Sequence, residues 1–215
     1  MKVEIKSVTQ PLDGTTPEQF VAYVARVSNP KNQNNTESAP KLLRYLIDHK
    51  HWSPFELVHI TMEIETTRAI GRQVLRHRSF SFSEMSQRYQ QVTDFEEVKA
   101  RRQDTKNRQN SIDDLSPETQ EWFAHGMESV QGVCERFYKE ALAAGVAKEC
   151  ARMILPESTR SRIYMSGSLR SWIHYLQVRL DPSTQLEHRE VAHLCFEEIK
   201  KLFPDTMEAV FPENI

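Results

Sequence analysis

A short stretch of the chain concentrates side chains that bind phosphate groups. Residues 76–89, RHRSFSFSEMSQRY, contain three arginines, one histidine and four serines, with a single carboxylate at Glu84. Guanidinium and hydroxyl groups donate hydrogen bonds to phosphate oxygens, and serine at a helix start combined with arginine makes a good anion cradle. The local chemistry therefore predicts a site for a phosphorylated sugar or a nucleotide.

Two features of this stretch have more than one interpretation. Arg68, Arg72 and Arg76 are spaced four apart and are predicted to line one helix face, but an arginine stripe alone is usually solvated. Glu84 suits the first turn of a helix capped by one of the preceding serines. It equally suits hydrogen bonds from a sugar hydroxyl, as acidic residues make in dinucleotide sites.

A second group of cations lies on an apolar helix predicted within residues 168–181, SLRSWIHYLQVRLD. Arg179 lies at the edge of the apolar stripe, where a charge costs free energy unless it is paired. It is either a snorkelling or salt-bridged arginine or a guanidinium held for an anionic or carbonyl-bearing ligand. Arg170 and His174 share another face of this helix, and Arg152 lies among apolar residues in CARMILP.

Several common kinds of site are absent from the sequence. The six glycines are scattered, so there is neither a GxGxxG nor a Walker A loop, and GxSxG is missing as well. His49, His51 and His59 lie near a predicted helix-to-strand junction. Without HExxH, HxxEH or cysteine partners, we do not expect them to bind a metal. A nucleotide would have to be held by side chains and helix ends.

Composition limits the class of protein. The 215 residues suit a single domain, 1–215, with a substantial core, and 28 basic against 30 acidic residues give a net charge of -2. We therefore expect no surface devoted to nucleic acid. The three cysteines are widely spaced, which favours reduced thiols. With no signal-peptide pattern and no apolar run of about 20 residues, we expect a soluble cytoplasmic protein without a membrane segment.

Hydrophobic periodicity predicts the strands that must hold these side chains. Residues 2–8 and 56–66 alternate apolar and polar side chains, as half-buried strands do. In the second strand the inward set is predicted to be Leu57 or Val58, with Ile60, Met62 and Ile64.

Several helices are predicted from the same kind of pattern, with caps at their ends. One begins after Thr16 with Phe20, Val24 and Val27 on one face, and others cover residues 41–50 and about 116–144. Further helices follow in AKECARMILP, in SLRSWIHYLQVRL and near the C-terminus, whereas the charged residues 93–115 are predicted to be an exposed excursion. The expected fold class is α+β, with long helices packed on a small, mostly antiparallel sheet.

The order RHR, seven intervening residues and then Ser86 resembles the RHR-x7-S signature of the flavin-dependent thymidylate synthases. The resemblance covers most of the chain, and only residues 93–120 and the extreme C-terminus lack a counterpart. Segments similar to the family occur in the family's order: ARVSNP (25–30), HWSPFE (51–56), RQVLRHRSFSFSEMSQRY (72–89), ECARMILP (149–156) and LRSWIHYLQVRLD (169–181).

The resemblance implies a reaction and an assembly. It implies a homotetramer of α+β subunits whose active sites form between subunits and convert dUMP to dTMP. Methylenetetrahydrofolate would give the one-carbon unit, and tightly bound FAD, reduced by NADPH, would carry the hydride. A flavin diphosphate and a nucleotide monophosphate would then account for the cationic stretch.

The resemblance also implies roles for individual residues. Arg152 would reach the substrate phosphate from another subunit, and Arg179 would meet the uracil and favour its ionised form. Ser86 is assigned to binding, because no histidine base with an acidic orienter is evident beside it. The implied dUMP contacts are Gln73, Arg76, Glu84, Met85, Ser86, Gln87, Arg88, Arg152 and Arg179. The implied FAD contacts are Ser53, Arg76, His77, Arg78, Glu84, Ser168, Arg170 and His174, of which Ser168 and His174 stand where some relatives have Asn.

Two alternative functions stay open at this point. The first is a nucleic-acid-binding module that uses residues 68–88 with Phe80, Phe82 and Tyr89 as stacking groups, although the balanced net charge weighs against it. The second is a flavin reductase that keeps the cofactor site and lacks methylene transfer.

Overall fold

Helices and strands alternate irregularly along residues 1–212, which are the residues that the computed structural model describes. This mixture of helices with a small antiparallel sheet confirms the predicted α+β class. The strands are β1 (Lys2–Val8), β2 (His59–Thr67), β3 (Ser81–Glu84), β4 (Arg102–Gln103), β5 (Ser111–Ile112) and β6 (Arg160–Ser168). The α-helices are α1 (Pro17–Ala25), α2 (Ala39–Asp48), α3 (Arg68–Val74), α4 (Pro117–Ala143), α5 (Lys148–Ala151), α6 (Leu169–Arg179), α7 (Leu186–Leu202) and α8 (Pro204–Val210).

The main sheet has the strand order β1-β2-β6-β3, and every neighbouring pair is antiparallel. Strand β2 alternates as predicted, with Ile60, Met62 and Ile64 fully buried on its inner face. Val58, rather than Leu57, belongs to this inward set, since Leu57 is exposed in the 3-10 turn Ser53–Leu57 that precedes β2.

Helices α6 and α7 cover the inner face of the sheet and complete the main core. Trp172 on α6 is fully buried, and its indole nitrogen donates a hydrogen bond to the Ile60 carbonyl oxygen at 3.1 Å. A buried indole N–H needs such a partner, so this contact fixes α6 against β2. Val191 and Ile199 on α7 are also fully buried in this core.

Side-chain caps set where the site-bearing helices begin. Thr67 ends β2 and accepts a hydrogen bond from the backbone nitrogen of Ile70, and Ser168 ends β6 and accepts one from Ser171. Each cap satisfies a backbone donor that the first helical turn leaves without a partner. Both strand-to-helix junctions therefore have defined geometry, and both lie beside predicted site residues.

Three expectations about local structure were wrong. Helix α3 ends at Val74, so Arg76 lies in the following turn and does not extend the helical stripe of Arg68 and Arg72. Residues Ser81–Glu84 form strand β3, because their alternating side chains pair with β6, so Glu84 caps no helix. In α1 the buried apolar side chains come from Val21 and Ala22 instead of the predicted face. Of that predicted face, Val27 lies beyond the helix and is exposed, whereas Phe20 and Val24 are partly buried.

Helix α4 has the predicted extent and the predicted N-cap at Ser116. Its apolar positions are less buried than their periodicity suggests. Tyr138 is its one fully buried residue among those described, whereas Trp122, Val130 and Phe137 are exposed. An exposed apolar stripe of this kind is typical of a surface that another protein chain covers.

The charged residues 93–115 are exposed for the most part, as expected, but their first half is anchored to the rest of the chain. Phe95 forms a β-bridge with Thr159, and strands β4 and β5 close a small hairpin within the segment. Arg101 forms an ion pair with Glu187 of α7. Across residues 1–212, no helix combines the length and apolar character needed to cross a membrane.

A close contact at Gly167 positions the turn that follows α3. An ideal Cβ at Gly167 would lie 2.5 Å from Cδ1 of Phe80, so the ring of Phe80 occupies the space of a side chain. The other side of this ring packs edge-on against Trp172 with 4.9 Å between ring centroids. Phe80 is thus held between β6 and α6, and it fixes the residues that precede it, RHRS at 76–79.

We expect Gly167→Ala to lower the free energy of unfolding by about 1–3 kcal/mol, the range for forcing an added group into a packed core. Gly126→Ala is a matched control, since its Cβ meets nothing within 4 Å on exposed α4. It should raise the free energy of unfolding by about 0.5–1 kcal/mol, because alanine favours helix over glycine. Urea denaturation of both variants measures this, and unchanged stability in Gly167→Ala would contradict the packing argument.

Candidate active site

Arg179, at the end of α6, is held in place by a histidine of the RHR motif. Its Nε atom donates a hydrogen bond to Nε2 of His77 at 2.9 Å. Since Nε2 accepts, the imidazole proton belongs on Nδ1. No further hydrogen bond or ion pair of Arg179 occurs within residues 1–212, so its two terminal amino groups stay available to a ligand.

The surroundings of His77 keep its ring neutral, as an acceptor requires. Burial lowers the pKa of His77 to about 4, and the positive charges of Arg179 and His174 act in the same direction. The ring packs edge-on against Tyr175, with 4.9 Å between centroids. A neutral and fixed imidazole therefore sets the direction in which the Arg179 guanidinium points.

Gln73, on α3, lies beside this pair and meets two residues of the α7 region. Its amide nitrogen donates to Oε1 of Gln185 at 2.6 Å, and its carbonyl oxygen lies 3.1 Å from Nδ1 of His188. His188 is fully buried, and burial followed by the positive charge of Arg179 lowers its pKa to about 3. Its Nε2 has no hydrogen-bond partner within the described chain.

A cavity of about 330 Å³ opens where β6 meets α6. It contains several serine hydroxyls, and its charged groups are Glu56 and Arg170, which pair at 3.5 Å. Glu56 also accepts a hydrogen bond from the buried Ser168. The lining residues are Glu56, His59, Ser79, Ser81, Ser166, Gly167, Ser168, Arg170 and Ser171.

A smaller cavity of about 80 Å³ adjoins this region at Trp52, Arg170, Ile173, His174 and Gln177. Arg170 lines both cavities. A larger cavity of about 620 Å³ lies elsewhere, between α4 and residues 97–100, and contains none of the predicted site residues.

The loop from Met85 to Tyr89 is tied to α5 of the same chain. Nε of Arg88 lies 3.3 Å from a carboxylate oxygen of Glu149, and Lys148 donates to the Tyr89 carbonyl oxygen at 2.8 Å. Helix α5 leads directly into Arg152. These contacts place the Arg88 loop beside the helix that precedes Arg152 in the same chain.

Gln87 contributes an orphaned donor to this loop. It is buried, yet its amide nitrogen has no hydrogen-bond partner within residues 1–212. A buried unsatisfied amide costs free energy, and a ligand oxygen would relieve that cost. Beside it, the Ser86 hydroxyl accepts from the Arg88 backbone nitrogen at 3.3 Å, so Ser86 has no catalytic base as a partner.

The predicted site residues thus fall into three neighbourhoods. The first neighbourhood contains Gln73, His77 and Arg179. The second surrounds the serine-lined cavity and contains Ser168, Arg170 and, through the small cavity, His174. The third contains Met85, Ser86, Gln87, Arg88 and Arg152. The remaining residues lie at their margins: Ser53 begins the 3-10 turn before β2, Arg76 and Arg78 flank His77, and Glu84 accepts a hydrogen bond from Ser161 at 2.8 Å.

Four of the predicted site arginines have no acidic partner in the part of the chain that the structure describes. Arg76, Arg78, Arg152 and Arg179 have no carboxylate within 4.0 Å among the described residues, although the chain carries 30 acidic residues. The same is true of Arg26, Arg68, Arg108 and Arg189, so the four are distinguished by their place in the predicted site and not by the missing carboxylate alone. Unpaired guanidinium groups on elements of defined geometry are suited to bind anionic ligands.

Sequence reasoning missed several residues that complete these neighbourhoods. Gln185 and His188 are the partners of Gln73, and Glu56 is the partner of Arg170 and Ser168. A polar run at the start of α7, QLEHRE, is the only signal for the first two. It reads as an ordinary solvated helix start. Among residues 1–212, no group of three His, Cys, Asp or Glu side chains could hold a metal ion.

Solved structures with this fold belong to enzymes that act on nucleotides. A UMP/dUMP methylase PolB from Streptomyces cacaoi, bound with 5-Br dUMP, is 28% identical with a TM-score of 0.84, covering 97% of this chain and 93% of that chain. The same methylase bound with 5-Br UMP has a TM-score of 0.80 at 27% identity, covering 97% and 92% of the two chains. The fold is therefore one that this chain shares with a nucleotide methylase.

Curated relatives identify the family. A flavin-dependent thymidylate synthase of Synechocystis is 50% identical over 215 residues, covering 98% of this chain and 99% of the relative. A probable flavin-dependent thymidylate synthase of Paramecium bursaria Chlorella virus 1 is 48% identical over 213 residues, with the same coverage. Residues 12–205 match the family described as thymidylate synthase complementing protein. The chain belongs to this family, that of the flavin-dependent thymidylate synthases.

The pKa of His188 makes stability depend on pH. An unfolded histidine binds its proton below about pH 6.5, whereas folded His188 does so only at about pH 3. Between these values the unfolded state binds more protons, so stability is complete above pH 6.5 and falls as the pH drops. We expect His188→Leu to reduce the dependence of the free energy of unfolding on pH between 6.5 and 4.5. Urea denaturation over this range measures it, and an unchanged slope would contradict burial of a neutral imidazole.

Proposed function

We propose that this enzyme converts dUMP to dTMP, taking the one-carbon unit from methylenetetrahydrofolate and the hydride from FAD that NADPH reduces. The observation that carries the proposal is that four arginines of the predicted site, Arg76, Arg78, Arg152 and Arg179, have no carboxylate partner among the described residues, because a nucleotide phosphate and a flavin diphosphate would supply anions for them. Family membership and relatives named flavin-dependent thymidylate synthases support it. We also propose that residues 1–215 act as one catalytic domain, of which 213–215 lie outside the described residues.

For dUMP we propose contacts from the first and third neighbourhoods. Arg88 and Arg152 would bind the phosphate, and the orphaned amide of Gln87 would donate to a substrate oxygen. The full proposed set is Gln73, Arg76, Glu84, Met85, Ser86, Gln87, Arg88, Arg152 and Arg179.

Arg179 is the residue to which we assign catalysis. A guanidinium beside the uracil stabilises the negative charge that develops on the ring, and it does so best when its position is fixed beforehand. His77 provides that fixation through the 2.9 Å contact with Arg179 Nε. We therefore propose that His77 acts mainly as the positioning residue of Arg179, in addition to the flavin contact implied by the family resemblance.

The second neighbourhood fits the flavin. Serine hydroxyls, Arg170 and the N-terminal end of the eleven-residue α6 line its cavity, a donor set suited to the phosphates of a dinucleotide. Bound there, the flavin would supply the hydride, while the chain's side chains orient it. The proposed contacts are Ser53, Arg76, His77, Arg78, Glu84, Ser168, Arg170 and His174.

We further propose a homotetramer whose active sites are shared between subunits. Apolar residues are exposed on α4 and next to the third neighbourhood, where Met153 follows Arg152 and is 78% exposed. Tyr89, beside Arg88, is 81% exposed. A surface of this kind calls for a covering partner, which would bring another subunit to the substrate loop. The cytoplasmic location expected from the sequence stays a prediction.

Two measurements distinguish the alternative functions. NADPH oxidation without thymidylate formation would indicate a flavin reductase. Steep salt dependence of oligonucleotide binding without FAD would indicate a nucleic-acid-binding module. The net charge of -2 weighs against the nucleic-acid alternative.

The proposed reaction is tested with dUMP tritiated at carbon five, supplied with FAD, NADPH and methylenetetrahydrofolate. We expect tritium release to water and formation of dTMP, both dependent on FAD. Arg179→Ala should lower kcat by about 10²- to 10³-fold, the range for removing one preorganised donor to a developing charge. Arg44→Ala, whose exposed arginine pairs with Glu208, should leave kcat unchanged. NADPH oxidation without dTMP would refute the proposal.

Shared sites are tested by mixing inactive variants. We propose that Arg88 and Arg152 act from one chain, because α5 joins them, and that Arg179 comes from another subunit. The family resemblance implied a different arrangement, in which Arg152 reaches the phosphate from another subunit. Mixed tetramers of Arg88→Ala and Arg179→Ala chains should regain activity in about a quarter of their sites. In an equal mixture, about half of the chains supply an intact Arg88 and about half supply an intact Arg179, so about a quarter of the shared sites contain both. Mixtures of Arg88→Ala and Arg152→Ala should stay inactive. Equal recovery in both mixtures, or none in either despite verified mixing, would contradict the arrangement.

A further inference from the structure

A chain of hydrogen bonds links the charged segment 93–115 to Gln73. Arg101 donates from Nη2 to Oε1 of Glu187 at 2.6 Å, and Gln185 donates to Oε2 of Glu187 at 2.8 Å. Gln73 in turn donates to Gln185 at 2.6 Å, and its carbonyl oxygen meets Nδ1 of His188. Five side chains from three parts of the sequence thus form one continuous connection.

The carboxylate of Glu187 determines the direction of every hydrogen bond in this chain. An ionised carboxylate can only accept, so the amide nitrogen of Gln185 must face it and the carbonyl oxygen of Gln185 must face Gln73. The amide nitrogen of Gln73 then faces Gln185, and its oxygen faces His188, which must carry its proton on Nδ1. Reversing any amide would place two donors or two acceptors against each other.

The ion pair at the end of the chain is unlike the other arginine pairs of the segment. The side chains of Arg101 and Glu187 are only 10% and 14% exposed, whereas those of the neighbouring pair Arg102 and Asp114 are 42% and 46% exposed. Burial raises the pKa of Glu187, but the hydrogen bonds from Arg101 and Gln185 outweigh it and leave the pKa lowered. Arg101 therefore keeps Glu187 ionised at its buried position.

We propose that Arg101 and Glu187 are positioning residues for the nucleotide substrate, because they fix the orientation of the Gln73 carboxamide. This inference rests on the proposed function, in which Gln73 contacts dUMP. The segment 93–115 thereby has a role in the site that its exposed and charged sequence does not suggest. Arg101 also donates from Nε to Ser111 at 2.9 Å, so the same side chain holds the segment together.

Glu187→Gln is the decisive variant. It keeps the size of the side chain, but glutamine can donate as well as accept, so it no longer imposes a direction on Gln185 and Gln73. We expect dUMP to bind on the order of tenfold more weakly, as when a hydrogen bond to a charged partner is lost. Arg101→Leu should have a similar effect, and Arg101→Lys should recover part of the affinity, since it keeps the charge.

Isothermal titration of the FAD-loaded protein with dUMP measures the affinities, and steady-state assays give KM and kcat. Both Glu187→Gln and Arg101→Leu should raise KM for dUMP more than they lower kcat, while FAD affinity and the thermal midpoint stay close to wild type. Arg102→Leu is the matched control, because its locally paired and exposed arginine lies next in sequence. It should match wild type in dUMP affinity, KM, kcat, FAD affinity and thermal midpoint.

Two results would overturn the inference. One is a dUMP affinity within twofold of wild type in both Glu187→Gln and Arg101→Leu. The other is a parallel loss of dUMP affinity, FAD affinity and thermal midpoint, which would mean a structural role only. Should Arg101→Leu not fold, Glu187→Gln decides alone, since it preserves packing.

The wild-type protein separates a failure of this inference from a failure of the proposed function. If wild type does not bind dUMP, the proposed function fails and the inference fails with it. If wild type binds dUMP and makes dTMP, only the inference is tested by the variants.

Discussion

The hydrogen bond between Arg179 and His77 is the interaction on which the site depends. It requires a neutral imidazole next to a permanent cation, and burial lowers the pKa of His77 to about 4, which meets that requirement. The ring is half-buried and lies edge-on to Phe80, with 6.4 Å between the ring centroids, and Phe80 itself packs into the space that Gly167 leaves open. Packing in the core thus supports the residue that directs the Arg179 guanidinium.

The unpaired arginines of the site lower the stability of the folded chain and at the same time make the site able to bind anions. Four arginines of the proposed site, Arg76, Arg78, Arg152 and Arg179, have no carboxylate within 4.0 Å among residues 1–212. Like charges that stay unpaired oppose folding, and the binding of an anion removes that opposition. The main core, built from β2, β6, α6 and α7, supplies the stability that the site lacks.

The fold class and most elements could be predicted because their signals are local: alternation in β2, the cap and length of α4, and the boundaries of α6. The cationic stretch could be recognised because arginine and serine are concentrated in few residues. Strand β3 was missed because pairing with β6 overrides the helix-cap pattern of its serines. His188, Gln185 and Glu187 could not be assigned, since their meaning arises only when α7 folds against α3 and residue 101.

The protonation state of His77 tests the central claim most directly. Nitrogen-15 chemical shifts of isotopically labelled histidine report which ring nitrogen carries the proton, and the His77→Asn variant assigns the signal. The account predicts that His77 carries its proton on Nδ1, with Nε2 unprotonated, from pH 8 down to near its pKa of about 4. A proton on Nε2, or titration near pH 6.5 as in an exposed histidine, would contradict it.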